Sequence, residues 1–192
     1  MGERVVSQAG SSAVRMAVLA QVVCADGAAT GYAIGQAMQD RYDGVLAGGR
    51  QRAYDELPKL RRAGLVELIR RASRDTYRAT PAGVAAWRAW LASDIDVLVD
   101  GRRAAGGALA EARRELRVRL CSARPGDLRA LVAVVSRYEA ALLRAQARAQ
   151  APAAVEEPLR GILADHADLL VTAELRWCQE ARERLEAAIA DG

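Results

Sequence analysis

Between Leu65 and Thr80 the spacing of the apolar residues changes from a helical period to an alternating one. Residues Leu65–Ile69 alternate apolar and polar side chains, and "DTYRAT" follows after a short polar tip, which indicates a two-stranded hairpin. The segments before and after it have apolar residues at three- and four-residue steps and are predicted helices. Three helices, a small basic hairpin and a fourth helix are the order of a winged helix-turn-helix domain.

The predicted helix ends carry residue types that favour those positions. Ser12 and Thr30 are suited to cap the first and second helices. Gly64 follows the third helix, where glycine is favoured, and Thr80–Pro81 starts the fourth. The apolar faces predict a core, whose expected members are Val14, Val18, Leu19, Val22, Val23, Ile34, Ala37, Met38, Ala53, Leu57, Leu60, Trp87, Trp90 and Leu91.

The second half of the chain is predicted to be helical throughout. Helices are expected over 109–121, 127–150 and 156–189, and the last two carry long apolar stripes. Such helices without enough partners in their own chain usually pack against a second copy, so we expect a homodimer. The expected fold is mainly α, with an N-terminal tail at 1–12, a winged helix-turn-helix domain at 13–92, a linker at 93–107 and a helical dimerisation and effector domain at 108–192.

The charge of the chain is distributed unevenly. Residues 41–78 hold ten Lys and Arg against five Asp and Glu, whereas residues 151–192 hold four against nine. A basic excess confined to the third helix and the hairpin favours an anionic partner for that region.

Several other classes of protein fit the sequence poorly. No apolar run is long enough to cross a bilayer and the N-terminus does not look like a signal peptide, so a cytoplasmic location is expected. The three cysteines have no metal-ligand spacing and are expected to be free thiols. His166, with Asp165 and Asp168, lacks a second histidine or a cysteine at ligand spacing, which favours a structural role. No catalytic motif is present, so neither an enzyme nor a cofactor is expected.

Four stretches together resemble PadR-type transcriptional regulators. They are "TGYAIGQAM", "AYDELPKLRRAGLV", "TYRATPAG" and "AELRWCQEARERLEA", and the resemblance runs from Val14 to about Ala188. It is closest to the branch with a larger C-terminal helical domain. The resemblance implies a dimeric repressor that binds a palindromic operator and is released by a small aromatic compound. It also implies that Tyr32 and the stretch around Tyr54 face DNA.

The third helix departs from the family pattern. Gln51 and Arg52 fill positions that are commonly a small turn, Asp55 stands where a proline is common, and Pro58 falls three residues later. Because proline is unfavourable deep in a helix, either the helix starts nearer Asp55 or it bends at Pro58.

The third helix and the hairpin supply the candidate DNA-binding residues. Arginine can fork to guanine or phosphate and glutamine can pair with adenine, although a solvated helix face would have a similar composition. The basic hairpin beside the helix favours DNA. The candidates are Tyr32, Arg50, Gln51, Arg52, Tyr54, Lys59, Arg61, Arg70, Arg71, Arg74 and Arg78.

The aromatic residues of the helices supply a candidate effector site. The family places effectors between the winged domain and the dimer helices, so the candidates are Trp87, Trp90, Tyr138 and Trp177. Ordinary core or dimer packing is the alternative for these side chains. The alternative function for the whole chain is a helical protein–protein interaction module on a winged-helix scaffold without specific DNA binding, and a DNA-binding protein without an effector is a third.

Overall fold

The computed structural model describes residues 3–25, 27–70, 74–95, 107–149 and 158–191. It describes only the backbone at 3–12, 107–108, 148–149, 158–160 and 162–164. Three of the expectations lie outside the described residues: Arg71, most of the linker at 93–107 and the start of a helix at 156. The side chains of Leu159 and Leu163, two apolar residues of the last expected helix, lie outside them as well. No helix among the described residues is both long and apolar enough to span a membrane.

Seven α-helices and three short strands make up the described parts of the chain, which has the expected mainly α fold. In chain order they are α1 (Glu3–Cys24), β1 (Ala29–Thr30), α2 (Gly31–Arg41), α3 (Gly49–Arg62), β2 (Val66–Ile69), β3 (Thr76–Ala79), α4 (Pro81–Ala92), α5 (Gly107–Ser122), α6 (Leu128–Ala149) and α7 (Pro158–Ala190). A single 3-10 turn at Pro125–Asp127 precedes α6. Helices α1, α2 and α3, the strands and α4 form the winged helix-turn-helix predicted from the sequence.

The chain divides into two compact units. The winged unit comprises Met1–Ser93 with Arg117–Arg124, and the helical unit comprises Asp94–Leu116 with Pro125–Gly192. Residues 117–124 were expected in the C-terminal domain at 108–192, whereas the end of α5 packs in the winged unit. Arg119 and Ser122 are buried there, where Arg119 bonds to Ser93 and Ser122 bonds to Tyr42.

Three details of the winged unit differ from the sequence-based expectation. Helix α1 begins at Glu3 and not at a cap on Ser12. The sheet has three strands and not two, because β1 pairs antiparallel with β3 and gives the order β1-β3-β2. Helix α3 is one continuous helix from Gly49 to Arg62 with Pro58 inside it, so a start near Asp55 was wrong. Pro58 has no N–H to offer the carbonyl of Tyr54, and packing of the helix must offset that lost bond.

The ends of the helices were predicted correctly where a cap residue marks them. The Thr30 hydroxyl accepts a hydrogen bond from the N–H of Ala33, and the Thr80 hydroxyl accepts one from Gly83. Gly64 has a φ of +71°, the left-handed conformation that favours glycine after a helix, and the N–H of Leu65 reaches back to the carbonyl of Leu60.

The core of the winged unit surrounds α1, which packs against α2, α3, α4 and β3. The predicted inward residues of α3 are buried, as are nearly all those of α1 and α2; Val23 and Ala37 are only half-buried. Two glycines bring α2 and α3 close together. A Cβ on Gly35 would lie 3.0 Å from Arg50 Cγ, and one on Gly49 would lie 3.0 Å from the carbonyl of Met38. This close crossing fixes how α3 is presented to solvent.

In the helical unit, α6 packs along α7. Of the apolar stripe predicted on α6, Leu131, Val135, Tyr138 and Leu142 are almost inaccessible, and Leu128 and Val132 are half-buried. The described apolar residues of the α7 stripe are not buried. Leu169, Leu170 and Trp177 are 70%, 42% and 36% exposed, Ala173 is exposed and Leu185 is half-buried. The apolar stripe of α7 therefore includes side chains that the described residues leave uncovered.

Candidate nucleic-acid interface

Helix α3 presents a polar outer side that divides into three rows. Successive residues of a helix are turned by about 100°, so positions three and four apart share a row. Opposite the buried Ala53 and Leu60 lies a middle row, whose members are Gln51, Asp55, Pro58 and Arg62. One flank carries Arg50, Tyr54 and Arg61, and the other carries Arg52 and Lys59.

All six residues predicted on the outside of α3 are exposed, but they do not share one face. Arg50 and Lys59 are about half a turn of the helix apart by this spacing, on opposite flanks. Arg62 and Asp55 were missed, although Arg62 stands eleven residues after Gln51 and so returns to the same row. A helical wheel of α3 would have included both.

Lys59 is held by a carboxylate that faces the core. Its ammonium lies 2.6 Å from Glu56 Oε1, and the guanidinium of Arg15 on α1 lies 2.9 Å from Glu56 Oε2. Burial of Glu56 by itself would raise the pKa of its carboxyl, and the hydrogen bonds from Lys59 and Arg15 outweigh burial and hold that pKa below its usual value. This ion triad ties α3 to α1 and uses part of the charge of Lys59.

Arg50 and Tyr32 form a second contact between helices, this time on the surface. The Arg50 guanidinium lies over the Tyr32 ring, 5.4 Å from its centroid, and its Nη2 donates to Gln36 Oε1 at 2.5 Å. The Gln36 amide in turn donates to Asp40 Oδ1 at 2.9 Å. Tyr32 itself is 62% exposed, so the pair lies open to solvent.

Tyr54 packs beside the start of α2. A Cβ on Gly31 would lie 3.3 Å from Tyr54 Cε1 and 3.7 Å from Tyr77 Cε2, so both rings lie against the backbone of Gly31. Tyr54 remains 45% exposed. The first residue of α2, the middle of α3 and β3 therefore meet at one aromatic cluster.

The wing, which is the hairpin of β2 and β3, carries exposed arginines. Arg70, Arg74 and Arg78 are exposed. Arg78 lies directly opposite Glu67 in the ladder and its Nε is 2.6 Å from Glu67 Oε1, so its charge is partly balanced. The predicted Arg71 lies outside the described residues.

The effector candidates lie in different units. Trp87 and Trp90 belong to the winged unit, and arginines from the end of α5 and just beyond it cover a face of each ring: Arg124 lies 5.5 Å from the Trp87 centroid and Arg119 lies 5.0 Å from that of Trp90. Trp87 is fully buried, and its indole N–H has no hydrogen-bond partner among the described residues.

Tyr138 and Trp177 belong to the helical unit and have unlike surroundings. The buried Tyr138 hydroxyl donates to Glu174 Oε1 at 3.2 Å, and Arg113 lies 2.6 Å from the other oxygen of Glu174. Burial, and then the charge of Glu174, raise the pKa of Tyr138 far above its usual value. Trp177 is 36% exposed on α7. Tyr138 is a structural hydrogen-bond donor in this arrangement.

Metal and thiol chemistry have little support in the described residues. His166 and Asp165 are exposed, and within the described ranges no group of three or more His, Cys, Asp or Glu side chains could hold a metal ion. Cys24, Cys121 and Cys178 are free thiols. Burial, reinforced by Glu174 and Glu139, raises the pKa of Cys178 to about 12, which keeps it an unreactive thiol.

Comparison with known proteins gives little similarity. No protein-family model matches the chain, and no curated protein matches it. Among solved structures, the chain is similar to one described as the crystal structure of Bacillus subtilis PadR in complex with operator DNA, with 16% sequence identity and a TM-score of 0.37 over 91% of this chain and 97% of that chain. A similarity of this degree assigns neither a family nor a function to the chain.

Proposed function

We propose that the protein is a DNA-binding transcriptional regulator of the PadR type, in which α3 enters the major groove and the wing lies along the phosphate backbone. The exposed side of α3 carries the proposal, because a polar middle row stands between two flanks that both carry cations. A helix in the major groove needs this division: phosphates lie on both sides of it and base edges lie in front. A merely solvated helix does not need it.

The rows of α3 suggest separate roles. The middle row offers Gln51 and Arg62 to base edges, and Gln51 Nε2 donates to Asp55 Oδ1 at 3.2 Å. This bond orients the Gln51 amide. Arg52 and Lys59 on one flank, and Arg61 on the other, are suited to phosphates. On the wing, Arg70, Arg74 and Arg78 would supply further backbone contacts and most of the salt-dependent affinity.

We propose that the regulator is a homodimer on a palindromic operator. The support is the uncovered apolar surface of α7, where Leu169, Leu170 and Trp177 are exposed, together with the 52% exposed Leu143 of α6. Helix α7 has 33 residues and is therefore about 50 Å long. A two-fold dimer through such helices would select half-sites about one turn of DNA apart.

A repressor released by a small aromatic effector is the form of regulation that we propose. Of the four effector candidates, the 36% exposed Trp177 and the half-buried Trp90 retain accessible ring surface. A planar compound could stack on either ring. Binding would act by changing the spacing of the two winged units on the operator.

Fluorescence anisotropy tests the DNA-binding proposal. The purified protein is titrated against the DNA upstream of its own gene and against a scrambled duplex of the same composition, at several salt concentrations. We expect tighter binding to the native duplex and a steep salt dependence. Equal, weak binding to both would contradict the proposal.

The same assay separates the regulator from a protein–protein interaction module. The triple variant Arg50→Ala, Arg52→Ala and Lys59→Ala should lose DNA binding while its oligomeric state, measured by sedimentation, stays unchanged. If the variant kept DNA binding and lost its oligomeric state, the exposed face of α3 would be a protein interface.

A further inference from the structure

The guanidinium of Arg50 is held in a defined position although it lies on the surface. Arg50 is the second residue of α3, and its side chain crosses α2 so closely that a Cβ on Gly35 would lie 3.0 Å from its Cγ. The Tyr32 ring lies under the guanidinium at 5.4 Å, and Gln36 Oε1 accepts from Nη2. Exposed arginines usually move among many rotamers, and this one is restrained at three points.

The same contacts also restrict how the guanidinium can turn. The Tyr32 ring, 5.4 Å from the guanidinium carbon, and the hydrogen bond from Nη2 to Gln36 limit its rotation. Asp40 accepts from the Gln36 amide nitrogen, so the oxygen of that amide is the atom left to face Arg50. The bond to Gln36 uses one of the five N–H donors of the guanidinium.

From this geometry we infer that Arg50 reads a guanine in each half-site, and that Tyr32 and Gln36 are positioning residues that orient its fork. The inference rests on the proposed function. An oriented, planar pair of donors matches O6 and N7 of guanine, and this match tolerates little rotation. A phosphate can also accept a bidentate guanidinium, so a change of preference at one base pair, and not a loss of affinity alone, distinguishes the two contacts.

The position of Arg50 along α3 agrees with this role. Arg50 lies on a flank of α3, but in helix-turn-helix domains the N-terminal residues of the recognition helix contact base edges, so its place in the first turn can bring a flank residue to them. Arg61 and Arg62 stand in the last turn of α3, and Lys59 is bound to Glu56. Arg52 also lies near the start of α3, where its Nε donates to the carbonyl of Ala47 at 3.2 Å. Among the cations of α3, Arg50 is the one that combines the first turn with contacts to a ring and to a side-chain amide.

Arg50→Lys is the decisive variant, because lysine keeps the charge and loses the planar fork. Wild type and variant are compared on the DNA upstream of the gene and on duplexes in which each base pair of the bound site, located by nuclease protection, is changed in turn. At one G·C pair in each half-site, wild type should bind the native base pair more tightly than the changed one. We expect this preference to fall roughly 5- to 150-fold in the variant, since a bidentate contact discriminates between bases by about that factor. Its salt slope should stay unchanged.

The positioning residues are tested at the same base pair. Gln36→Ala and Tyr32→Leu should lower the preference at that pair, whereas Tyr32→Phe keeps the ring and should preserve it. Arg88→Ala, which removes an exposed arginine from α4, is the control. It should leave the preference at every base pair as in wild type. Circular dichroism and thermal unfolding establish that each variant is folded.

Three results would overturn the inference. A folded Arg50→Lys variant with the same preference as wild type at every base pair would show that Arg50 reads no base. An Arg50→Ala variant that weakens binding equally on all duplexes would make Arg50 a phosphate contact. If wild type itself showed no preference for any duplex, the proposed function would fail together with the inference.

Discussion

The hydroxyl of Tyr42 lies 2.8 Å from the hydroxyl of Ser122, eighty residues further along the chain. Tyr42 caps the end of α2 and Ser122 ends α5, so this bond fastens the end of α5 into the winged unit. Gln21 of α1 donates to the same phenol oxygen at 3.0 Å. Each hydroxyl also has a backbone acceptor, the carbonyl of Ala17 at 3.5 Å for Tyr42 and that of Val118 at 2.6 Å for Ser122, so either one can be the donor between them. Burial raises the pKa of Tyr42 to about 12.

Tyr42→Phe should destabilise the winged unit by about 1–3 kcal/mol, because the buried groups of Gln21 and Ser122 lose their shared partner. Urea unfolding followed by circular dichroism measures the loss. Tyr54→Phe removes a hydroxyl from an exposed ring and should change stability by less than about 0.5 kcal/mol. Ser122→Ala completes a double-mutant cycle, and purely additive losses would contradict a direct bond between the two hydroxyls.

Gly83→Ala should be among the most damaging single-methyl changes in the chain. A Cβ there would lie 2.0 Å from the carbonyl oxygen of Leu65, so the start of α4 or the turn before β2 must move. We expect a loss of about 1–3 kcal/mol in the thermal or urea unfolding free energy. Gly161→Ala on α7, with nothing within 4 Å of the new Cβ, should instead stabilise by up to about 1 kcal/mol. Equal effects of the two changes would rule out the predicted clash.

Glu56 should make the stability of the winged unit depend on pH. Its depressed pKa means that its contribution is complete above the ordinary glutamate pKa and is lost as pH falls through the lower, folded-state value. Glu56→Gln removes that contribution, so wild type and variant should differ at pH 6 and converge on acidification below about pH 4. Urea midpoints across this range provide the measurement.

Glu67→Gln is the matched control for Glu56. Glu67 pairs with Arg78 in the wing, but both side chains are about half exposed. Such exposed pairs contribute little to stability, so Glu67→Gln should change the urea midpoint only slightly at every pH. A larger pH effect at Glu67 than at Glu56 would contradict the importance of burial in the Arg15–Glu56–Lys59 triad.

The wing arginines should differ in their effect on the salt dependence of DNA binding. Arg70→Ala and Arg74→Ala should each reduce the slope of log K against log salt by about 1 if each contacts a phosphate. Arg78→Ala should reduce it less, because Glu67 already balances part of its charge. Anisotropy titrations at four salt concentrations measure the slopes. A larger change for Arg78 than for Arg70 and Arg74 would contradict this assignment.

Leu169→Glu should separate the proposed dimer. Leu169 is 70% exposed on α7, so the charge costs the single chain little, whereas at a dimer interface it would be buried. We expect sedimentation velocity to show a shift toward monomer with unchanged helix content. Gln179→Glu, at another exposed position of α7, is the control. A variant that sediments as wild type would place any interface elsewhere.

Much of the fold was determined locally by the sequence. Gly64 stops α3 because glycine adopts a positive φ readily, and Thr80 with Pro81 starts α4 because the threonine hydroxyl accepts an N–H while proline needs none. Within Leu65–Ile69 the polar Glu67 between Val66 and Leu68 predicted the hairpin, since successive side chains of a strand point to opposite faces of the sheet. Each of these signals depends on residues within a few positions of one another.

Other features were decided only by tertiary packing. Pro58 is unfavourable within a helix, yet the buried contacts of Ala53, Leu57 and Leu60 keep α3 continuous through it. Strand β1 has two residues, too few for an alternating pattern, and exists because β3 offers it a partner. The bond between Tyr42 and Ser122 and the grouping of Arg50 with Tyr32 and Gln36 join distant segments of chain, so no local periodicity could predict them. The sequence determined which residues of α3 are basic, and the crossing of α2 and α3 decided which of them is held in place.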